Sequence, residues 1–215
     1  MKQFCFVTMV MGMFCIALQA QNKFDVNGDG IVNGADIVGV YNYIVNGDGE
    51  TYTKYSRYKA EFAYFHVQTT TPLRSALYSP GDFCTIKLTI KKQLHFSTLT
   101  QQQVVDVTAP NIYQNFVCIS GYIVGYSNMI ELGADSPTQV CYDLACPNCY
   151  RESSIKRDLA IKEGGFAYCS RCKRTYSLNN FGSVQAGDAG RPLERYHISL
   201  LDQYRMRIYN HGSFI

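Results

Sequence analysis

At 215 residues the chain has room for one domain of ordinary size and a small appendage. A hydrophobic content of 47% with 17% charged residues excludes extended disorder, and a net charge of +3 is too small to imply a polyanionic partner by itself. Seventeen Tyr and twelve Phe, with no Trp and only six Pro, favour a β-rich body.

The first twenty residues differ from the rest. Lys2 supplies one early positive charge, an uncharged and mostly apolar run follows from Phe4 to Leu18, and small Ala20 precedes the polar Gln21 and Asn22. A charged start, an apolar stretch and a small residue at the cut are the parts of a secretory signal peptide, here 1–20. The run is short of the ~20 apolar residues a spanning helix needs, so no transmembrane segment is expected once the signal is removed. Lipidation at Cys15 is the weaker reading, since Gly12, Met13 and Phe14 make a poor lipobox. The expected location is therefore periplasmic, cell-surface or secreted, in a bacterial setting. There, thiols become disulfides unless a metal claims them.

Residues 25 to 36 read "DVNGDGIVNGAD". A twelve-residue calcium loop takes oxygens from positions 1, 3, 5, 7, 9 and 12 and a Gly at position 6. Those slots are Asp25, Asn27, Asp29, the carbonyl of Ile31, Asn33 and Asp36, with Gly30 on the turn. The following "IVGVYNYIVNG" has Ile37, Val40, Tyr41 and Ile44 at helical spacing. Asp36 in the last slot, together with this helix, resembles a single type I dockerin repeat over about 24–47. The dockerin family builds its cohesin-binding surface from two packed repeats. One repeat argues against cohesin binding and for a calcium-stiffened loop and helix that, with its linker, occupies 21–57.

From residue 58 the pattern changes to period two. "FCTIKLTI" sets Cys84, Ile86, Leu88 and Ile90 on one face and Thr85, Lys87 and Thr89 on the other, as in a half-buried strand. "EFAYFHV", "VVDV", "FVCISGYIVGY" and "VCYDLA" predict further strands, with "TTTPL", "YSPGD" and "GADSPTQ" as turns. "RYHISLL" and "YRMRIYN" predict a closing antiparallel pair. No helix is expected after residue 47. The fold class is mainly β, an antiparallel sandwich or small barrel over 58–215.

Within it, about 145–182 forms a metal subdomain. Cys146-Pro-Asn-Cys149 and Cys169-Ser-Arg-Cys172 are two Cys-x-x-Cys pairs separated by nineteen residues, a spacing that brings four sulfurs to one ion. Two disulfides are the competing reading. From Arg151 to Arg174 there are seven Lys/Arg and three acids, and positive neighbours favour thiolates.

"YDLACPNC", "GGFAYCSRCKRTYSLNNFGSV" and "GRPLERYHISL" together resemble a Rieske-type iron–sulfur domain over about 139–209. The resemblance implies a β-sandwich with a zinc-ribbon-like cluster-binding subdomain. On it, Cys146 and Cys169 match the family's cysteines, Cys172 stands at its second histidine, and Cys149 stands one residue beyond its first. Both imidazoles of a Rieske [2Fe–2S] centre are thus replaced by thiolates. Zn²⁺ is favoured as the cofactor, with an all-cysteine [2Fe–2S] cluster as the alternative. A folded, cluster-loaded protein needs a twin-arginine signal, which "MKQ" lacks.

Cys84, Cys118 and Cys141 lie in strand-like runs and are expected as buried thiols, with a Cys118–Cys141 disulfide as the minor reading. His66, His95, His197 and His211 are scattered, and no catalytic constellation stands out. The export signal argues against nucleic acid, and the protein or envelope partner is unknown. These readings describe an exported, non-catalytic protein with a Cys₄ zinc site and a calcium loop; the alternative is an electron carrier on the same four cysteines.

Overall fold

The chain divides into two compact units, Met1–Thr53 and Lys54–Ile215. The computed structural model describes residues 55–109, 111–130 and 135–211, all within the second unit. Five strands lead: β1 (Ala60–Tyr64), β2 (Phe83–Leu88), β3 (Gln93–Ser97), β4 (Gln102–Asp106) and β5 (Tyr113–Val117). Between β1 and β2 lie a 3-10 turn (Val67–Thr69) and helix α1 (Thr71–Tyr78). Then come β6 (Tyr122–Tyr126), β7 (Gln139–Asp143), helix α2 (Pro147–Ser153), the short strands β8 (Ala160–Lys162), β9 (Phe166–Tyr168), β10 (Thr175–Ser177) and β11 (Val184–Ala186), and finally β12 (Arg195–Leu200) and β13 (Met206–Asn210).

The fold is mainly β and antiparallel, as composition and periodicity predict. Nine strands form one sheet in the order β4-β3-β2-β6-β7-β12-β13-β1-β5, and four form a second in the order β11-β10-β9-β8. The large sheet curls on itself. Tyr64 of β1 and Phe96 of β3 stand near opposite ends of the strand order, yet their ring centroids are 5.1 Å apart. The large sheet of the body is thus one curled sheet, nearer to the small barrel than to the sandwich of the two forms expected. Inside the curl, Phe62, Tyr64, Leu73, Leu77, Ile86, Phe96, Tyr122 and Ile208 form the first core.

Several expectations fail in instructive places. "TTTPL" does not turn the chain between strands; it opens α1, with a proline in the first helical turn, where the missing N–H has no intrahelical use. Leu73, Ala76 and Leu77, at helical spacing, then bury against the sheet. A second helix, α2, follows Cys146. Helices therefore do occur after residue 47. "FVCISGYIVGY" is two strands, since residues 118–121 turn between β5 and β6. Ile90 leaves its face because β2 ends at Leu88 and a tight turn carries Ile90 into solvent. The closing pair is present: β12 and β13 run antiparallel with His197 opposite Tyr209 and Leu200 opposite Met206.

β6 and β7 are buried on both sides. Tyr122, Val124 and Cys141 enter the first core, and Ile123, Val140 and Tyr142 enter a second one. Phe83, Leu144, Leu159, Ala167, Tyr176, Leu178 and Leu193 complete that second core, which joins the small sheet to the large one. The link is reinforced at its edge, where Asp158 accepts from Ser120 Oγ and pairs with Lys87.

Candidate metal centre

The four cysteines of the two Cys-x-x-Cys pairs sit in the second core. Cys146 caps α2 and Cys149 lies in its first turn, so three residues of helical rise put both sulfurs on one side. The Cys146 N–H donates to the Arg157 carbonyl at 2.7 Å and its carbonyl accepts from Tyr150 at 3.0 Å, which fixes this turn at both ends. Cys169 and Cys172 lie in the tight connection between β9 and β10. There the Cys169 N–H donates to the Arg174 carbonyl and the Lys173 N–H to the Cys169 carbonyl, with Lys173 in the left-handed region at φ 61°.

The two turns converge. All four sulfurs lie within 4.8 Å of one another, with Cys146 and Cys172 at 3.6 Å and Cys149 and Cys169 at 3.7 Å. A regular tetrahedron of thiolates about a zinc ion, with Zn–S near 2.3 Å, has an edge of about 3.8 Å. A disulfide needs about 2.05 Å. All seven described cysteines, these four included, are free thiols, so the disulfide reading of the quartet is set aside. Cys118 and Cys141 likewise form no bond. Among the described residues this is the one group of three or more His, Cys, Asp or Glu placed to hold an ion, and none of the four histidines joins it.

Burial raises the cost of charge here, and a set of donors offsets it. Desolvation pushes the Cys146 thiol up to about 11, against a hydrogen bond from Tyr176 that favours the anion. Desolvation, followed by the neighbouring Cys146, also raises Cys149. Cys172 behaves oppositely: burial alone would raise it, but hydrogen bonds from the backbone and side chain of Arg174 bring it down to about 7.

The direction of the Tyr176 hydrogen bond follows from its neighbours. The Arg191 N–H can only donate, so it meets Oδ1 of Asn148 at 2.9 Å and orients that amide. Nδ2 of Asn148 then donates to the Arg191 carbonyl at 3.0 Å and to the Tyr176 oxygen at 2.9 Å. The phenol proton is left for the Cys146 sulfur, 3.2 Å away. Asn148, Arg174 and Tyr176 escape a motif search because their spacing follows no metal pattern. Their signal is that polar residues so close to the thiols need partners when buried.

Cys149 and Cys172 also line a cleft of about 360 Å³, together with Glu152, Arg157, Arg171 and Arg174. The expected calcium ligands Asp25, Asn27, Asp29, Ile31, Asn33 and Asp36, and the signal segment 1–20, lie outside the described residues. No described helix is long and apolar enough to cross a membrane. No family model, curated protein or solved structure matches the chain.

Proposed function

We propose that the protein is an exported, non-catalytic metal-binding module in which Cys146, Cys149, Cys169 and Cys172 hold one structural Zn²⁺. The observation that carries the reading is the convergence of four sulfurs on a common point at separations near a tetrahedral edge. A [2Fe–2S] cluster places its thiolate pairs on two separate irons and spreads them wider than a single ion does, so the compact quartet favours one ion. Four thiolates leave a tetrahedral zinc no open position to activate water or a substrate carbonyl. Its binding free energy is therefore folding free energy, which ties α2 and the β9–β10 turn to the rest of the second core. The Rieske resemblance of 139–209 is then a likeness of scaffold with the histidine ligands absent. Ahead of it, the loop at 25–36 binds Ca²⁺ through Asp25, Asn27, Asp29, Ile31, Asn33 and Asp36. The binding partner is a protein or envelope component.

Metal analysis with a visible spectrum on the purified full chain tests the assignment. A colourless protein with one zinc and one calcium per chain is the expected result, with Cys169→Ser losing the zinc and Asp25→Ala losing the calcium. A coloured protein carrying two irons and labile sulfide would replace this reading with that of an electron carrier. A protein that takes up no metal at the four cysteines would remove both.

A further inference from the structure

The metal-binding reading leaves a charge to be accounted for. One divalent ion with four thiolates carries a net charge of −2, and Cys146 has no exposed surface. A buried anion of that size needs donors aimed at it. The Tyr176 hydroxyl stands 3.2 Å from the Cys146 sulfur, but a phenol rotates its O–H toward whichever acceptor is offered. What else the oxygen meets therefore decides whether the sulfur receives the proton.

Resting on that reading, we propose that Asn148 is a positioning residue of the metal centre: its side-chain amide, held at both ends by the Arg191 peptide, occupies the acceptor side of the Tyr176 oxygen and so turns the phenol proton onto the Cys146 ligand. The amide has no hydrogen to spare. One Nδ2 hydrogen goes to the Arg191 carbonyl at 3.0 Å and the other to the Tyr176 oxygen at 2.9 Å, while Oδ1 accepts the Arg191 N–H at 2.9 Å. A flipped amide would set donor against donor at that N–H, so the orientation is fixed. Tyr176 is wholly buried and Asn148 is 7% exposed, which leaves water little part in the arrangement.

The Arg191 peptide is itself held in place from both directions along the chain. Before it, Arg174 grips the carbonyls of Asp188 and Ala189 through Nε at 3.0 Å and Nη2 at 3.1 Å. After it, the Leu193 N–H donates to the Gly182 carbonyl at 2.9 Å. Between these points the backbone presses on the amide: a Cβ on Gly190 would lie 2.6 Å from Oδ1 of Asn148. An asparagine inside the first Cys-x-x-Cys pair is thus oriented by a peptide 43 residues further along the chain.

Two single variants and their combination separate an amide that directs a proton from one that only braces a loop. Asn148→Asp keeps the shape but, ionised at about pH 8, offers acceptors alone, so the phenol proton turns to the carboxylate. In the Co²⁺-loaded full chain the sulfur-to-cobalt charge-transfer band should then move to lower energy, because the Cys146 sulfur loses its hydrogen bond. Zinc competition against a chromophoric chelator should show binding weakened about 10- to 100-fold. Tyr176→Phe removes the proton outright and should move the band in the same direction. The double variant should move it no further than Tyr176→Phe does, since both changes act through one hydrogen bond. An unmoved band in either single variant, or a shift from Asn148→Asp that persists undiminished without the phenol, would overturn the inference while leaving the metal site standing. If Asn148→Asp does not fold, Tyr176→Phe and the zinc-loaded parent carry the test. There both Nδ2 hydrogens of Asn148 should exchange slowly by NMR, and rapid exchange of either would overturn it. A parent protein that binds neither zinc nor cobalt would instead remove the metal-binding reading and this inference with it.

Discussion

Asp143 shows how much a single buried carboxylate can organise. Its two oxygens accept from the N–H groups of Ile119 at 2.8 Å, Ser120 at 3.2 Å and Ala145 at 2.7 Å, and from the Tyr196 hydroxyl at 2.9 Å. It therefore shapes both the turn into β6 and the approach to Cys146. Burial pushes its carboxyl up to about 6, and the four donors hold it from rising further. Between about pH 4, where an unfolded Asp titrates, and pH 6, the folded chain binds the proton more tightly than the unfolded one. Stability from this group is thus greatest at the acid end, falls as pH rises through that window, and is level above it. Urea unfolding of parent and Asp143→Asn across pH 4 to 8 checks the sign. The parent's stability relative to the variant should decline toward pH 6 by on the order of 2 kcal/mol and then stay constant, and the subtraction cancels the metal's own pH dependence. The buried tyrosines follow the same logic of satisfied polarity. Tyr64 pairs with Thr70, Tyr122 donates to the Val117 carbonyl and Tyr142 to that of Leu178. A core rich in tyrosine and free of tryptophan works because each hydroxyl finds an acceptor.

At the scale of elements, the readable parts were those with one dry face and one wet face. β1 and β13 alternate cleanly enough to be placed from sequence, and the cysteine pairs announce themselves through spacing alone. α1 was hidden because three threonines and a proline read as a turn. The contrary signal, Leu73, Ala76 and Leu77 following a first-turn proline, spans only eight residues and is easily outweighed. β5 and β6 ran together because "FVCISGYIVGY" keeps an apolar pattern through a turn held largely by Asp143, a residue distant in sequence. The groups that serve the sulfurs were illegible for a related reason: Asn148, Arg174 and Tyr176 acquire meaning only once the 188–191 segment folds over them. Where strands cross closely, space becomes the constraint. Gly125 on β6 lies opposite Phe83 on β2, and a Cβ there would stand 2.2 Å from the Phe83 ring and 2.4 Å from the Asp82 carbonyl. Gly125→Ala is expected to lower stability by about 1–3 kcal/mol, measured by thermal or urea unfolding with metal present.

Across the described residues as a whole, two apolar cores meet at β6 and β7, and the two cysteine-bearing turns belong to one of them only. Stripping the metal should therefore act unevenly. Amide exchange after chelation is expected to speed up across 146–193, while β1, β2, β3 and β13 keep their protection; uniform loss of protection would show that the two cores unfold as one. The doubly covered pair β6–β7 has one more consequence. In a sheet wetted on one side, sliding a strand by a single position would throw its oily residues into water, and that penalty locks the alignment. Here neither side is wet, so oiliness alone is nearly indifferent to a slip. Alignment must come instead from misfits: a slid β6 would bring a side chain beneath the Phe83 ring where only hydrogen fits, and a slid β7 would strand a carboxylate among hydrocarbons.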